Sequence, residues 1–156
     1  MNSKFIYQTL CKILLTSPAR FKFKINQMPQ IKIYGLRENI EPKRFALSYT
    51  IHTALQEAIG ISEEKRFQRF IILEPDNFIF PGDRSSNYTI IEISMFEGRS
   101  SATKRNLIRL LYRKIAETAG IAPQDLEITI LETPKCNWGI CGELGDELEL
   151  NYQIDL

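Results

Sequence analysis

A chain of 156 residues, 44% hydrophobic and 25% charged, is long enough to close one core and too short for two large domains. Its formal charge of +1 conceals an asymmetry, because residues 1–28 carry five Lys/Arg and no acid, leaving 15 basic against 19 acidic residues, net −4, for the rest. That balance argues against a phosphate-tracking nucleic-acid surface, no apolar run approaches the ~20 residues of a membrane span, and three cysteines with one histidine make neither a disulfide framework nor a four-ligand zinc site.

The first 27 residues are basic and mildly amphipathic, which permits an organelle-targeting reading. The match is incomplete, since Lys12 interrupts the apolar stretch and Arg20 is its lone arginine. The blander expectation is that Met28 is the physiological start, that residues 1–28 are an extension or leader outside the core, and that the protein is cytoplasmic.

Gln30 to Tyr34 alternates polar and apolar residues as a half-buried strand does. Pro42 suits a helix's first turn, and Phe45, Tyr49, His52, Leu55 and Ile59 recur at helical spacing up to Gly60, which predicts a helix over about 42–59. His52 on that stripe reads as a structural histidine. Phe67 to Leu73 is aromatic and β-branched, a second strand ended by Glu74-Pro75-Asp76-Asn77.

The order then repeats. Tyr88 to Phe96 reads as a strand, Ser100 as an N-cap, and Leu107, Leu110, Leu111, Ile115 and Ala119 as the buried stripe of a helix stopping at Gly120. Gly60-Ile61 answers Gly120-Ile121, and Ile72-Leu73-Glu74 answers Ile130-Leu131-Glu132. Two fused β-α-β repeats, about 29–80 and 88–144, with right-handed crossovers make an α+β domain: a four-stranded sheet with both helices on one face. In the tail 145–156, Leu148, Leu150, Tyr152 and Ile154 alternate as a short strand that could pair with another subunit.

Phe96-Glu97-Gly98-Arg99-Ser100, Lys104 and Asn137-Trp138-Gly139-Ile140-Cys141-Gly142-Glu143-Leu144 lie within a stretch, Ile90 to Leu144, that resembles the whole short subunit of the 4-oxalocrotonate tautomerase group. Met28-Pro29-Gln30-Ile31-Lys32-Ile33-Tyr34 is similar to the common start of the tautomerase superfamily, in which the initiator Met is removed to expose proline. The resemblance implies a tautomerase-like domain over 29–156, a homotrimer by analogy with fused-repeat relatives, and no cofactor or metal.

An amino-terminal proline is a secondary amine, and an α-amino group already titrates near ~8; apolar burial and neighbouring arginines push that further down, so it can act as a base. A fixed guanidinium beside the enolate oxygen stabilises the transition state, and its fork also holds a carboxylate. The resemblance assigns these roles to Pro29, Arg99 and Arg69, with Trp138 as an aromatic wall. It sets Glu127 at the place of Arg69 in the second repeat, and puts the counterpart of Pro29 near Thr89, whose nitrogen is a peptide amide. One full site per chain follows. Lys65 stands where related decarboxylases and dehalogenases place a water-activating group, and Arg37 is spaced two residues short of the Arg99 pattern.

The implied reaction is keto–enol 1,3-proton transfer on a small 2-oxo acid or its enol. Two rivals remain at this point: a non-catalytic oligomeric binding protein whose proline is blocked by residues 1–27, and a related decarboxylase or hydratase. Plainer readings also stand beside the functional ones. Pro29 could be an ordinary strand-start proline, Arg69 a solvated strand arginine, and Trp138 a packing residue.

Overall fold

The structure, a computed structural model, describes residues 29–147. Residues 1–28, expected to be an extension or leader, and the alternating segment from Leu148 lie outside the described residues. β1 (Gln30–Leu36) sends Ile31 and Ile33 into the core and leaves Gln30, Lys32 and Tyr34 on the opposite face. Strands β2 (Phe67–Leu73), β3 (Thr89–Phe96) and β4 (Leu126–Thr133) alternate likewise, with Phe70 and Ile72, Ile91 and Ile93, and Ile128 and Ile130 on the core side.

The sheet order is β2-β1-β3-β4. β1 runs parallel to β2 and β3 parallel to β4, while the two central strands are antiparallel, from Gln30 opposite Ser94 to Gly35 opposite Thr89. This is the expected pair of β-α-β repeats, related by an approximate two-fold between β1 and β3. Ile31 answers Ile91, Leu36 answers Phe96, and Leu73 answers Thr133.

Helix α1 (Arg37–Ile59) begins five residues before the start expected from Pro42. Proline inside a helix forfeits one i→i−4 bond, here to the Glu38 carbonyl. Three features offset that loss: an Arg37–Glu41 bridge at 2.7 Å one turn apart, Glu38 at the positive end of the dipole, and the burial of Asn39 and Ile40. Helix α2 (Ser101–Ala119) begins as predicted, with Ser100 Oγ accepting from the Thr103 amide at 3.1 Å.

Both helices lie on one sheet face and share a core with the strands. Ile40, Leu47, Ile51 and Leu55 of α1 and Leu107, Leu111 and Ile115 of α2 are 0–1% exposed. Burial of each such side chain is worth about 1.5–3 kcal/mol. Thr50 and Thr118 hydroxyls meet at 2.7 Å between the helices, and Lys114 reaches Glu57 at 2.8 Å. After β4 a 3-10 turn, Lys135–Asn137, leads into a small hairpin of β5 (Gly139–Ile140) and β6 (Glu143–Leu144). Among the described residues no helix is long and apolar enough to cross a membrane.

Candidate active site

Antiparallel pairing of the central strands gives the sheet two ends of the same construction. At one, β1 and β2 start and β3 and β4 finish; at the other the roles are exchanged. Pro29 is buried directly before β1. Gln30 pairs with Phe67 and Ser94, so one step back along β1 brings Pro29 level with Arg66 and Met95.

Arg99 leaves β3 through Gly98, whose φ of +115° suits a residue without Cβ. Its Nη1 turns back to donate to the Phe96 carbonyl at 3.1 Å and lies 3.5 Å from Met95 Sδ. The guanidinium therefore covers the end of β3 at the place where β1 begins. Phe96 links it to the next residue of interest, because the Trp138 ring meets the Phe96 ring edge-on at 5.0 Å and 79°. Trp138 is half-buried, and its indole Nε1–H donates to Thr133 Oγ1 at 2.7 Å.

The same strand end holds the Arg99 turn. The Glu97 amide donates to the Thr133 carbonyl at 3.1 Å, the Arg99 amide faces Glu132 Oε1 at 3.4 Å, and Lys104 Nζ donates to Glu132 Oε2 at 2.5 Å. Thus Pro29, Arg99 and Trp138 come to one end of the sheet. Arg69 stands slightly apart, exposed on the helix-free face opposite Lys32, with Nη1 donating to Gln30 Oε1 at 3.2 Å. By register the residue level with Glu127 is Phe67, not Arg69, because Glu127 pairs with Ile90 and Phe67 with Gln30. Arg69 sits two residues further along, and its long side chain spans the difference back to Gln30.

Sequence reasoning left Arg66 without a role, and missed Glu132 and Thr133. Arg66 is level with Pro29 only through strand register, for which the sequence carries no signal. Lys65, just before it, is half-buried, and that burial pulls its ammonium below the ordinary lysine range. Arg37 forms ion pairs with Glu41 and Glu74, both at 2.7 Å, well outside this cluster.

At the opposite end every position of the cluster has a different occupant. Thr89 stands where Pro29 would, Asn39 where Arg99 would, and Phe78, which likewise follows a 3-10 turn, where Trp138 would. Asn39 Nδ2 donates to Thr89 Oγ1 at 3.2 Å and to the Asn87 carbonyl at 3.1 Å. Lys43 Nζ joins Asn39 and Asn87 at 2.6 and 2.7 Å. Phe78, Phe80 and Tyr88 pack with centroids 5.1–5.5 Å apart. The Tyr88 hydroxyl donates to Glu127 at 2.5 Å; burial, then that bond, push the phenol up to about 12. Hydrogen bonds and rings tie these residues together, and a groove lined by Leu36, Arg37, Glu41 and Glu74 opens at the same end.

A family model described as tautomerase enzyme matches residues 65–141. The 2-hydroxymuconate tautomerase of Pseudomonas putida is 37% identical over 57 residues, which cover 36% of this chain and 90% of that protein. The chain belongs to the tautomerase family. Among solved structures it is similar to a wild-type fused 4-OT described as an asymmetric trimer, with a TM-score of 0.68 at 22% identity over 76% of this chain and 98% of that one. A malonate semialdehyde decarboxylase inhibited by 3-bromopropiolate gives a TM-score of 0.64 at 26% identity, covering 70% and 87% of the two chains.

Proposed function

We propose that a chain beginning at Pro29 is a cofactor-independent tautomerase acting on a small 2-oxo acid or its enol, and that 29–156 is its working domain. The Pro29 nitrogen takes the proton from the carbon next to the ketone. Arg99 and Arg69 bind the carboxylate and polarise the carbonyl as the enolate forms, and the proton returns at the other end of the three-atom unit. Trp138 keeps water from the enolate.

The observation that carries this reading is the fold of Arg99 over the end of β3, level with Pro29 and walled by Phe96 and Trp138. A homotrimer accompanies it. The helix-free sheet face exposes Ile71, Ile90 and Leu131, the last 45% exposed, and the similar fused 4-OT is described as a trimer.

The test compares chains starting at Pro29 and at Met1 on phenylpyruvate enol and on a 2-hydroxydienoate. Turnover belongs to the Pro29 chain and falls in Pro29→Ala, which leaves a flexible primary α-amine in place of the fixed secondary amine of the ring. Unchanged turnover in Pro29→Ala would falsify the mechanism. The 26% identity to the decarboxylase favours one rival reading. Release of carbon dioxide from malonate semialdehyde faster than either tautomerisation would select it.

A further inference from the structure

Two elements of the proline end, the Arg99 turn and the Trp138 ring, hang from the last two residues of β4. Thr133 contributes its carbonyl to the Glu97 amide and its hydroxyl oxygen to the indole N–H. The second of these bonds is the stronger determinant of ring placement. An indole packed edge-on against Phe96 can slide or tilt at little cost, since dispersion is non-directional, whereas a 2.7 Å hydrogen bond fixes both distance and plane. A backbone seat completes the site: the Gly145 amide donates to the Trp138 carbonyl at 2.7 Å, and a Cβ on Gly145 would collide with the Lys135 carbonyl oxygen.

The internal two-fold supplies the control. Leu73 is the last residue of β2, opposite Leu36, as Thr133 is the last of β4, opposite Phe96. The first repeat thus ends its strand and makes the same 3-10 turn with a leucine that offers no side-chain acceptor and with Phe78, a ring that has no donor. The strand-to-turn geometry does not require the bond. It occurs at the end of the sheet that carries Pro29 and Arg99.

We propose that Thr133 is a positioning residue for the reaction, acting through its hydroxyl to hold the Trp138 ring against Phe96 at the strand end that Arg99 covers. The kinetic part of this proposal rests on the tautomerase reading, while the structural part does not. Trp138 is the single tryptophan of the chain, so its intrinsic emission reports the wall directly.

The experiment uses the chain from Pro29 and two variants, the isosteric Thr133→Val, which removes the acceptor, and the smaller Thr133→Ser, which retains it. In Thr133→Val the emission shifts to the red, acrylamide quenching accelerates, and kcat/KM on phenylpyruvate enol falls on the order of tenfold, the equivalent of one hydrogen bond. Thr133→Ser restores all three. In a Trp138→Phe background, Thr133→Val adds no further loss. Wild-type emission and quenching in Thr133→Val overturn the proposal, as does a second full loss in the Trp138→Phe background. If the unsubstituted chain turns over no enol, the tautomerase reading fails, and the fluorescence comparison alone decides whether Thr133 holds the ring.

Discussion

Thr118 has a single hydroxyl hydrogen, and it is donated to the Lys114 carbonyl at 2.8 Å. Its oxygen is then the acceptor in the 2.7 Å contact between the helices, and Thr50 is the donor. Thr50 is 2% exposed, whereas Thr118 is exposed. Thr50→Val replaces a buried hydroxyl by a methyl of the same shape and leaves the Thr118 oxygen open to water. It loses one net hydrogen bond of about 0.5–1.5 kcal/mol, against which the added apolar burial returns about 0.8 kcal/mol. Thr118→Val instead strands a buried hydroxyl without its acceptor, a cost of about 1–3 kcal/mol. The exposed substitution is therefore the more damaging one, opposite to the order that burial alone gives. Urea unfolding of the chain from Pro29 measures both, and the double variant recovers most of the Thr118→Val loss because the stranded donor is gone. A Thr50→Val loss equal to or larger than that of Thr118→Val, or simple additivity in the double variant, refutes the assigned direction.

His52 is the only histidine and is buried; its Nε2 meets the Glu63 carbonyl at 3.0 Å, while Nδ1 has no partner among the described residues. Burial, then the charge of Arg66, hold the imidazole below the ordinary value of 6.5, so the unfolded chain takes up the proton first as pH falls. Stability from this group is whole above about 6.5 and declines below it until the folded pKa is reached; urea midpoints at neutral and mildly acid pH should show this slope, and His52→Gln should abolish it. Arg99→Ala lowers kcat/KM on phenylpyruvate enol about 10²–10³-fold, as loss of an oxyanion donor does, with Arg99→Lys recovering part of it. A change below about threefold removes Arg99 from the chemistry.

Periodicity and capping signals were sufficient for the strands and helices because those signals are local. The Phe67–Leu73 strand, the Ser100 cap and the Gly60 and Gly120 stops stand where the residue types put them. The start of α1 was not legible, since what extends it past Pro42 is tertiary: Asn39 bonding Thr89 and Asn87 across the repeat boundary, and Ile40 entering the core. Register was equally invisible. The similarity of the Ile72 and Ile130 segments sets Arg69 level with Glu127, while the sheet sets it two residues further on. Thr133 gave no sign of its bond to Trp138, because a threonine at a strand end is unremarkable until the turn brings the indole back. Glu127, set against Arg69 by the sequence comparison, instead lies level with Phe67 and accepts the Tyr88 hydroxyl at the second end.

The end without the proline, with its phenol, amides and stacked rings, ties the two repeats together across their boundary. Losing Tyr88 or Asn39 would loosen the joint between the repeats without touching the proline, whereas losing Arg99 would disable the proline's surroundings and leave the joint sound. Under the proposed reaction, two copies of one motif answer to different demands, rigidity in one place and reactivity in the other.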